Sequence, residues 1–216
     1  SFSFNHNEKK LEILKTINLE LSKGKLTGLI GETGSGKSTI ANIISGLIQD
    51  YKGELIVNKN NNFDRFFLQK FTGYVSQHVN LIDDTIINNI CYGIDADKIN
   101  IEKVEKIINQ LNLTNLISNL PNKYNHKIGE QGLTISGGQR QKISLARTLY
   151  LDPKVIIFDE STSSLDRDAE KDFMKVIKEI KKNKIILFIT HNKLLEEDFD
   201  KIYKIEKNSV KEYKIK

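Results

Sequence analysis

From Leu11 to Ile30 apolar and polar positions alternate, through Leu11, Ile13, Ile17, Leu19 and Leu21 to the run Leu26–Ile30. A two-residue period predicts strands, here parted by a turn at Ser22-Lys23-Gly24. Past Lys37 the period lengthens. Ile40, Ile43, Ile44, Leu47 and Ile48 fall on one helical stripe, which predicts a helix over 37–48. Glu54–Val57 and Gly73–Ser76 read as short strands on either side of the polar loop Asn58–Asn62.

Between about Asp84 and Lys123 the strand signal fades. Ile86, Ile87 and Ile90 predict one helix, and Ile101, Val104, Ile107, Ile108 and Leu111 a second. This stretch reads as an inserted helical lobe. Beyond it come a helix over Gln139–Tyr150, an apolar strand at Val155–Phe158, a helix from Asp168 to Lys181 and a strand at Ile185–Thr190. Fully apolar strands alternating with helices imply an α/β fold whose mostly parallel sheet is covered on both faces.

Composition narrows the picture modestly. The 216 residues can bury a substantial core, and 33 Lys+Arg against 28 Asp+Glu leave a net charge of +5. The lysines are scattered among Glu and Asn, which describes a solvated surface and not a nucleic-acid stripe. A single Cys excludes an internal disulfide and fits a reducing compartment. The apolar runs fall far short of the roughly 20 residues that cross a bilayer. Because strand-like alternation is already present at Ser1-Phe2-Ser3-Phe4, without an initiator methionine, the chain is expected to be part of a longer polypeptide.

Gly31-Glu32-Thr33-Gly34-Ser35-Gly36-Lys37-Ser38 fits G-x-x-x-x-G-K-[ST], between a predicted strand and a predicted helix. Glycines let the main chain wrap so that its N–H groups converge on phosphate oxygens, and the helix N-terminus adds donors. Lys37 would reach the β/γ-phosphates, and the Ser38 hydroxyl would ligate Mg²⁺. Val155–Phe158 runs into Asp159-Glu160. The C-terminal end of a buried parallel strand opens on the ligand crevice, so Asp159 is placed to hold Mg²⁺ and Glu160 to orient a water. Ser136-Gly137-Gly138-Gln139 precedes a helix. By chemistry alone it is equally a second anion-binding surface or an ordinary serine N-cap with flexible glycines.

Taken together and in this order, residues 31–38, 136–139 and 155–160 resemble the nucleotide-binding domain of an ABC transporter, a likeness covering nearly the whole chain. The family's L-S-G-G-Q stands here as Ile135-Ser136-Gly137-Gly138-Gln139. The resemblance implies a phosphate-loop ATPase core with an N-terminal antiparallel β subdomain, over 1–77 and 134–216, and an inserted helical subdomain over 78–133. It implies ATP and Mg²⁺ as ligands, with Gly31, Thr33, Gly34, Ser35, Gly36, Lys37, Ser38 and Thr39 around the phosphates. Phe4 stands where the family stacks an aromatic on adenine, the alternative being a core phenylalanine. Gln77 resembles the glutamine that senses metal and water, so Ser38, Gln77 and Asp159 form the implied metal set. Glu160, His191, Gln77 and Lys37 form the implied catalytic set. Ser136, Gly137, Gly138 and Gln139 would act in trans, on ATP held by a second copy in a head-to-tail dimer. Ser163-Ser164-Leu165-Asp166 resembles the loop that crosses that interface.

Two stretches point within the family. Ile128-Gly129-Glu130-Gln131-Gly132, and Leu81-Ile82-Asp83-Asp84-Thr85-Ile86 through Asn89-Ile90, resemble exporter segments that face the transmembrane domain of the same transporter. The implied protein is an exporter ATPase at the cytoplasmic face of a membrane, with no nucleic-acid partner. The alternatives are a stand-alone importer subunit and a DNA-repair-type ATPase. The latter's long coiled coil has no counterpart between Thr39 and Ile135. A fourth reading, a phosphate-loop small-molecule kinase, leaves Ser136–Gln139 and His191 without a role. Residues 58–72 fit no expected element, and Cys91 reads as a buried small residue.

Overall fold

A computed structural model describes residues 2–6, 9–15, 17–61, 64–129 and 135–213, with side chains described from Leu14 onward. The chain gathers into two compact units. One comprises Ser1–Tyr74, Lys154–Glu160 and Lys181–Lys216, the other Val75–Pro153 and Ser161–Ile180.

In the first unit, β1 (Phe2–His6) and β2 (Lys9–Leu14) pair antiparallel as a separate two-stranded sheet. The main sheet contains β3 (Leu26–Gly31), β4 (Thr72–Ser76), β5 (Val155–Asp159), β6 (Ile185–Thr190), β7 (Lys201–Glu206) and β8 (Ser209–Tyr213) in the order β4-β5-β6-β3-β7-β8. β5, β6, β3 and β7 run parallel, and β8 returns antiparallel beside β7. Side-chain alternation separates the two faces of the sheet. Leu29, Ile157, Leu187 and Ile189 pack with Ile40 and Ala41 of α1 (Lys37–Ile44). On the opposite face Phe158 stacks on Phe188, which meets Phe199. Gly28 lies under that ring, where a Cβ would come within 2.5 Å of Phe199.

Several expectations shift. Ile17, Leu19 and Leu21 do pack against the core, but residues 17–21 form no ladder, so their alternation reflects packing alone. The helix predicted to reach Ile48 stops at Ile44, because Gly46 turns left-handed (φ 74) and the Leu47 amide closes back on the Asn42 carbonyl. Glu54–Val57 contributes only a bridge from Val57 to Asn60, closed by Asn58 and Lys59 at positive φ. The unplaced stretch 58–72 contains α2 (Arg65–Phe71), capped by the Asp64 carboxylate accepting from the Phe67 amide at 2.8 Å. The β7–β8 hairpin turns through Lys207 and Asn208, both at positive φ, and was not foreseen.

The second unit is helical: α3 (Ile86–Ile90), α4 (Ile101–Gln110), α5 (Thr114–Ser118), α6 (Gly137–Tyr150) and α7 (Arg167–Ile180). α6 packs on α3, α4 and α7. Its bounds, Val75–Pro153 and Ser161–Ile180, reach beyond 78–133 on both sides. Arg147 of α6 donates to the Asn89 and Asn80 carbonyls, and fully buried Asn89 clasps Ile82 through its own side-chain amide. Among the described residues no helix is long and apolar enough to cross a membrane.

Candidate active site

The turn from β3 into α1 is built for an anion. Gly34 (φ 78) and Gly36 (φ 99) take left-handed conformations that reverse the loop. Gly36 is also the N-cap of α1 and offers no side-chain oxygen, which leaves the first amides of the helix without a cap. The Ser35 hydroxyl is buried and has no hydrogen-bond partner. A Cβ at Gly31 would meet that hydroxyl at 2.8 Å. Orphan donors around a wrapped main chain are what a phosphate group satisfies. Thr33 and Ser38 are exposed and Thr39 is half-buried. Lys37 is folded inward, only 5% exposed, and donates to the Gly31 and Glu32 carbonyls at 2.9 Å each.

The parallel register of β5 and β6 sets Asp159 opposite Ile189, so the loops leaving both strands emerge side by side. They bring Glu160 and His191 together, with His191 Nδ1 3.4 Å from Glu160 Oε1 and Lys37 Nζ 4.0 Å from the same oxygen. Glu160 adopts φ 49, and its amide donates to the Ile189 carbonyl at 3.0 Å. Left-handed backbone at a non-glycine residue is the kind of strain that gathers at functional sites. Asp159 accepts a 2.6 Å hydrogen bond on Oδ2 from the Tyr74 hydroxyl. Burial first, then that hydrogen bond and the Asp159 charge, push the Tyr74 hydroxyl far above its ordinary pKa.

In the second unit Ser136 and Gln139 form a reciprocal capping box. The Ser136 hydroxyl accepts from the Gln139 amide at 3.3 Å, and the Gln139 side-chain carbonyl accepts from the Ser136 amide at 2.9 Å. The serine N-cap is thus observed. Gly138 lies against α7, where a Cβ would stand 3.3 Å from the Ala169 methyl, and Gly137 lies beside Leu165. Asp166 caps α7 by accepting from the Asp168 and Ala169 amides. Gln77 is half-buried, and its main-chain carbonyl accepts from Gln141 Nε2 at 3.0 Å. Gln141 and Tyr74 were missed by sequence reading, since neither pairing has a local signal. The side chain of Phe4, and residues 130–132 of the expected exporter loop, lie outside the described residues.

Of the donors expected from the sequence for a divalent cation, the first unit carries a hydroxyl (Ser38) and a carboxylate (Asp159), and the second an amide oxygen (Gln77). All are oxygen, which suits Mg²⁺. Among the described residues no group of three or more His, Cys, Asp or Glu could hold a metal.

Residues 14–163 match the family described as ABC transporter. The chain belongs to that family. An ATP-dependent lipid A-core flippase of Vibrio vulnificus is 35% identical over 97% of the chain, and one of Idiomarina loihiensis is 32% identical over 96%. A solved bacterial Atm1-family ABC exporter with ATP bound superposes with a TM-score of 0.82 at 27% identity over 96% of the chain. In each case the chain spans 36% of the relative's length. The matched span takes in the phosphate loop, Gln77, Ile135–Gln139 and Asp159-Glu160.

Proposed function

We propose that this chain binds and hydrolyses ATP to power export or lipid flipping, as the motor domain of a larger ABC exporter on the cytoplasmic face of a membrane. The observation that carries the reading is the convergence of Lys37, Glu160 and His191 at the mouth of the wrapped loop, within 4.0 Å of one carboxylate oxygen.

ATP is the substrate. The loop amides and the bare α1 N-terminus bind its phosphates, and Lys37 exchanges two carbonyls for β/γ-phosphate oxygens. Ser38 and Asp159 would hold Mg²⁺, which when bound neutralises charge on the transferring phosphoryl group. Glu160 accepts a hydrogen bond from the attacking water and His191 meets the γ-phosphate. In a head-to-tail dimer the partner copy supplies Ser136, Gly137, Gly138 and Gln139. Phosphate release would then reopen the pair and move the membrane domain.

The exporter assignment draws on the names of the relatives and on the second unit. There the two exporter-like stretches are tied together, the Ile128 amide donating to the Asp84 carbonyl and the Ile86 amide to the His126 carbonyl. In the first unit exposed Phe66 lines a groove of about 630 Å³, and it adds, with exposed Leu47 and Ile56, apolar surface for a membrane portion to cover. Flippase-type cargo, a lipid or lipid-linked sugar, follows from the names of the relatives alone.

Glu160→Gln keeps the shape of the side chain and removes its basicity. The expected result is ATP binding at wild-type affinity, turnover lower by about 10²-fold or more, and an ATP-dependent dimer on gel filtration. Undiminished hydrolysis would refute the assignment.

A further inference from the structure

Asp159 is more than the last residue of β5. Its neighbour in the sheet is β4, and from β4 the Tyr74 hydroxyl reaches across to Asp159 Oδ2 at 2.6 Å. That is the short end of the range for an O–H···O⁻ bond. The tyrosine ring is itself seated against the apolar cluster formed by Leu29, Ile157 and Leu187, so the hydroxyl is held on a rigid stem. A carboxylate with one oxygen tied to a fixed donor keeps a single rotamer and presents its other oxygen in one direction.

Resting on the reading of this site as a Mg²⁺·ATP site, we infer that Tyr74 is a positioning residue for the metal: its hydroxyl occupies Asp159 Oδ2 and leaves Oδ1 to face the cation or a cation-bound water. Such outer-shell donors typically govern metal affinity by about 10- to 100-fold. A leucine or valine at position 74 would fill the same apolar seat without supplying the donor. The inference is therefore about the hydroxyl and not about the ring.

The test uses Tyr74→Phe on the full chain, with a fluorescent non-hydrolysable ATP analogue titrated once in Mg²⁺ and once in EDTA. The ratio of the two dissociation constants isolates the contribution of the metal. In the wild type Mg²⁺ should tighten binding. In Tyr74→Phe the value in EDTA should be unchanged and the tightening by Mg²⁺ about 10-fold smaller. An unchanged ratio, a larger one (the hydroxyl then competing with the metal), or a loss confined to the EDTA value overturns the inference while leaving the ATP site intact. A wild type that binds the analogue under neither condition overturns the ATP-site reading itself. Thermal unfolding checks the fold of the variant; should Tyr74→Phe not fold, Tyr74→Leu is read by the same criteria.

Discussion

His191 Nδ1 stands 3.4 Å from Glu160 Oε1, although the two lie 31 positions apart in the chain. The pairing arises because β5 and β6 are parallel neighbours, so their C-terminal loops begin at the same level of the sheet. His191 is largely exposed while Glu160 is three-quarters buried, so the imidazole is supported at the open side of the site. His191→Ala should leave stability within about 0.5 kcal/mol of wild type, as for other exposed positions. It should lower kcat by about 10²-fold with little change in ATP affinity, by removing a donor to the developing phosphoryl charge. Steady-state ATPase kinetics beside nucleotide titration checks this; equal losses in both would point to a binding role.

Lys37 is already desolvated before any phosphate arrives, with its ammonium bound to two loop carbonyls. Transfer to phosphate oxygens exchanges neutral acceptors for charged ones, and hydrogen bonds involving a charged group contribute about 1.5–3 kcal/mol each. Lys37→Ala should weaken ATP binding by about 10- to 100-fold. A fluorescent-nucleotide titration measures it, and wild-type affinity in that variant would place the phosphates elsewhere.

Ser136 has a structural task that can be separated from its proposed role in trans. Ser136→Ala removes the cap of α6 and should cost about 1 kcal/mol of stability. Ser136→Asp retains a capping oxygen, so its unfolding temperature should stay near that of wild type, yet it sets a negative charge against the partner's γ-phosphate. ATP-dependent dimerisation and hydrolysis should fail in the aspartate variant while thermal unfolding is preserved. Normal hydrolysis in Ser136→Asp would remove this loop from the catalytic interface.

Asp200 anchors the start of β3. Burial alone would raise its pKa, but the Leu26 amide at 2.7 Å and the Lys181 ammonium outweigh burial and hold the carboxyl below its ordinary value. A depressed folded-state pKa stabilises the fold above the unfolded value of about 3.9, and the benefit fades as pH falls from there through the folded pKa. Asp200→Asn should therefore lower the melting temperature at pH 7, with the difference from wild type narrowing below about pH 4. A difference that stays constant down to acid pH would assign the loss to packing.

The phosphate loop, Asp159-Glu160, the strands at Leu26–Ile30, Val155–Phe158 and Ile185–Thr190, and the helix before Tyr150 were all legible in the chain. Each is a local pattern, a glycine spacing or an apolar period, whose energetics lie within a few residues. The helix at Arg65–Phe71 was hidden because its period is masked by exposed Phe66 and Phe67. Only its Asp64 cap marked it. The strand expected over 17–21 failed for the opposite reason: a period of two records which side chains meet the core, not whether the backbone finds a partner.

What the sequence alone determined is the chemistry on hand, a loop that wraps phosphate, a carboxylate pair and a serine-capped glycine turn, because those depend on residue type and short spacing. What only the tertiary structure decided is which distant groups share an oxygen. Tyr74 on Asp159, His191 and Lys37 about Glu160, and Gln141 on the Gln77 carbonyl all follow from strand order and helix packing. Those contacts span tens of residues, and no periodicity along the chain encodes a distance across a sheet.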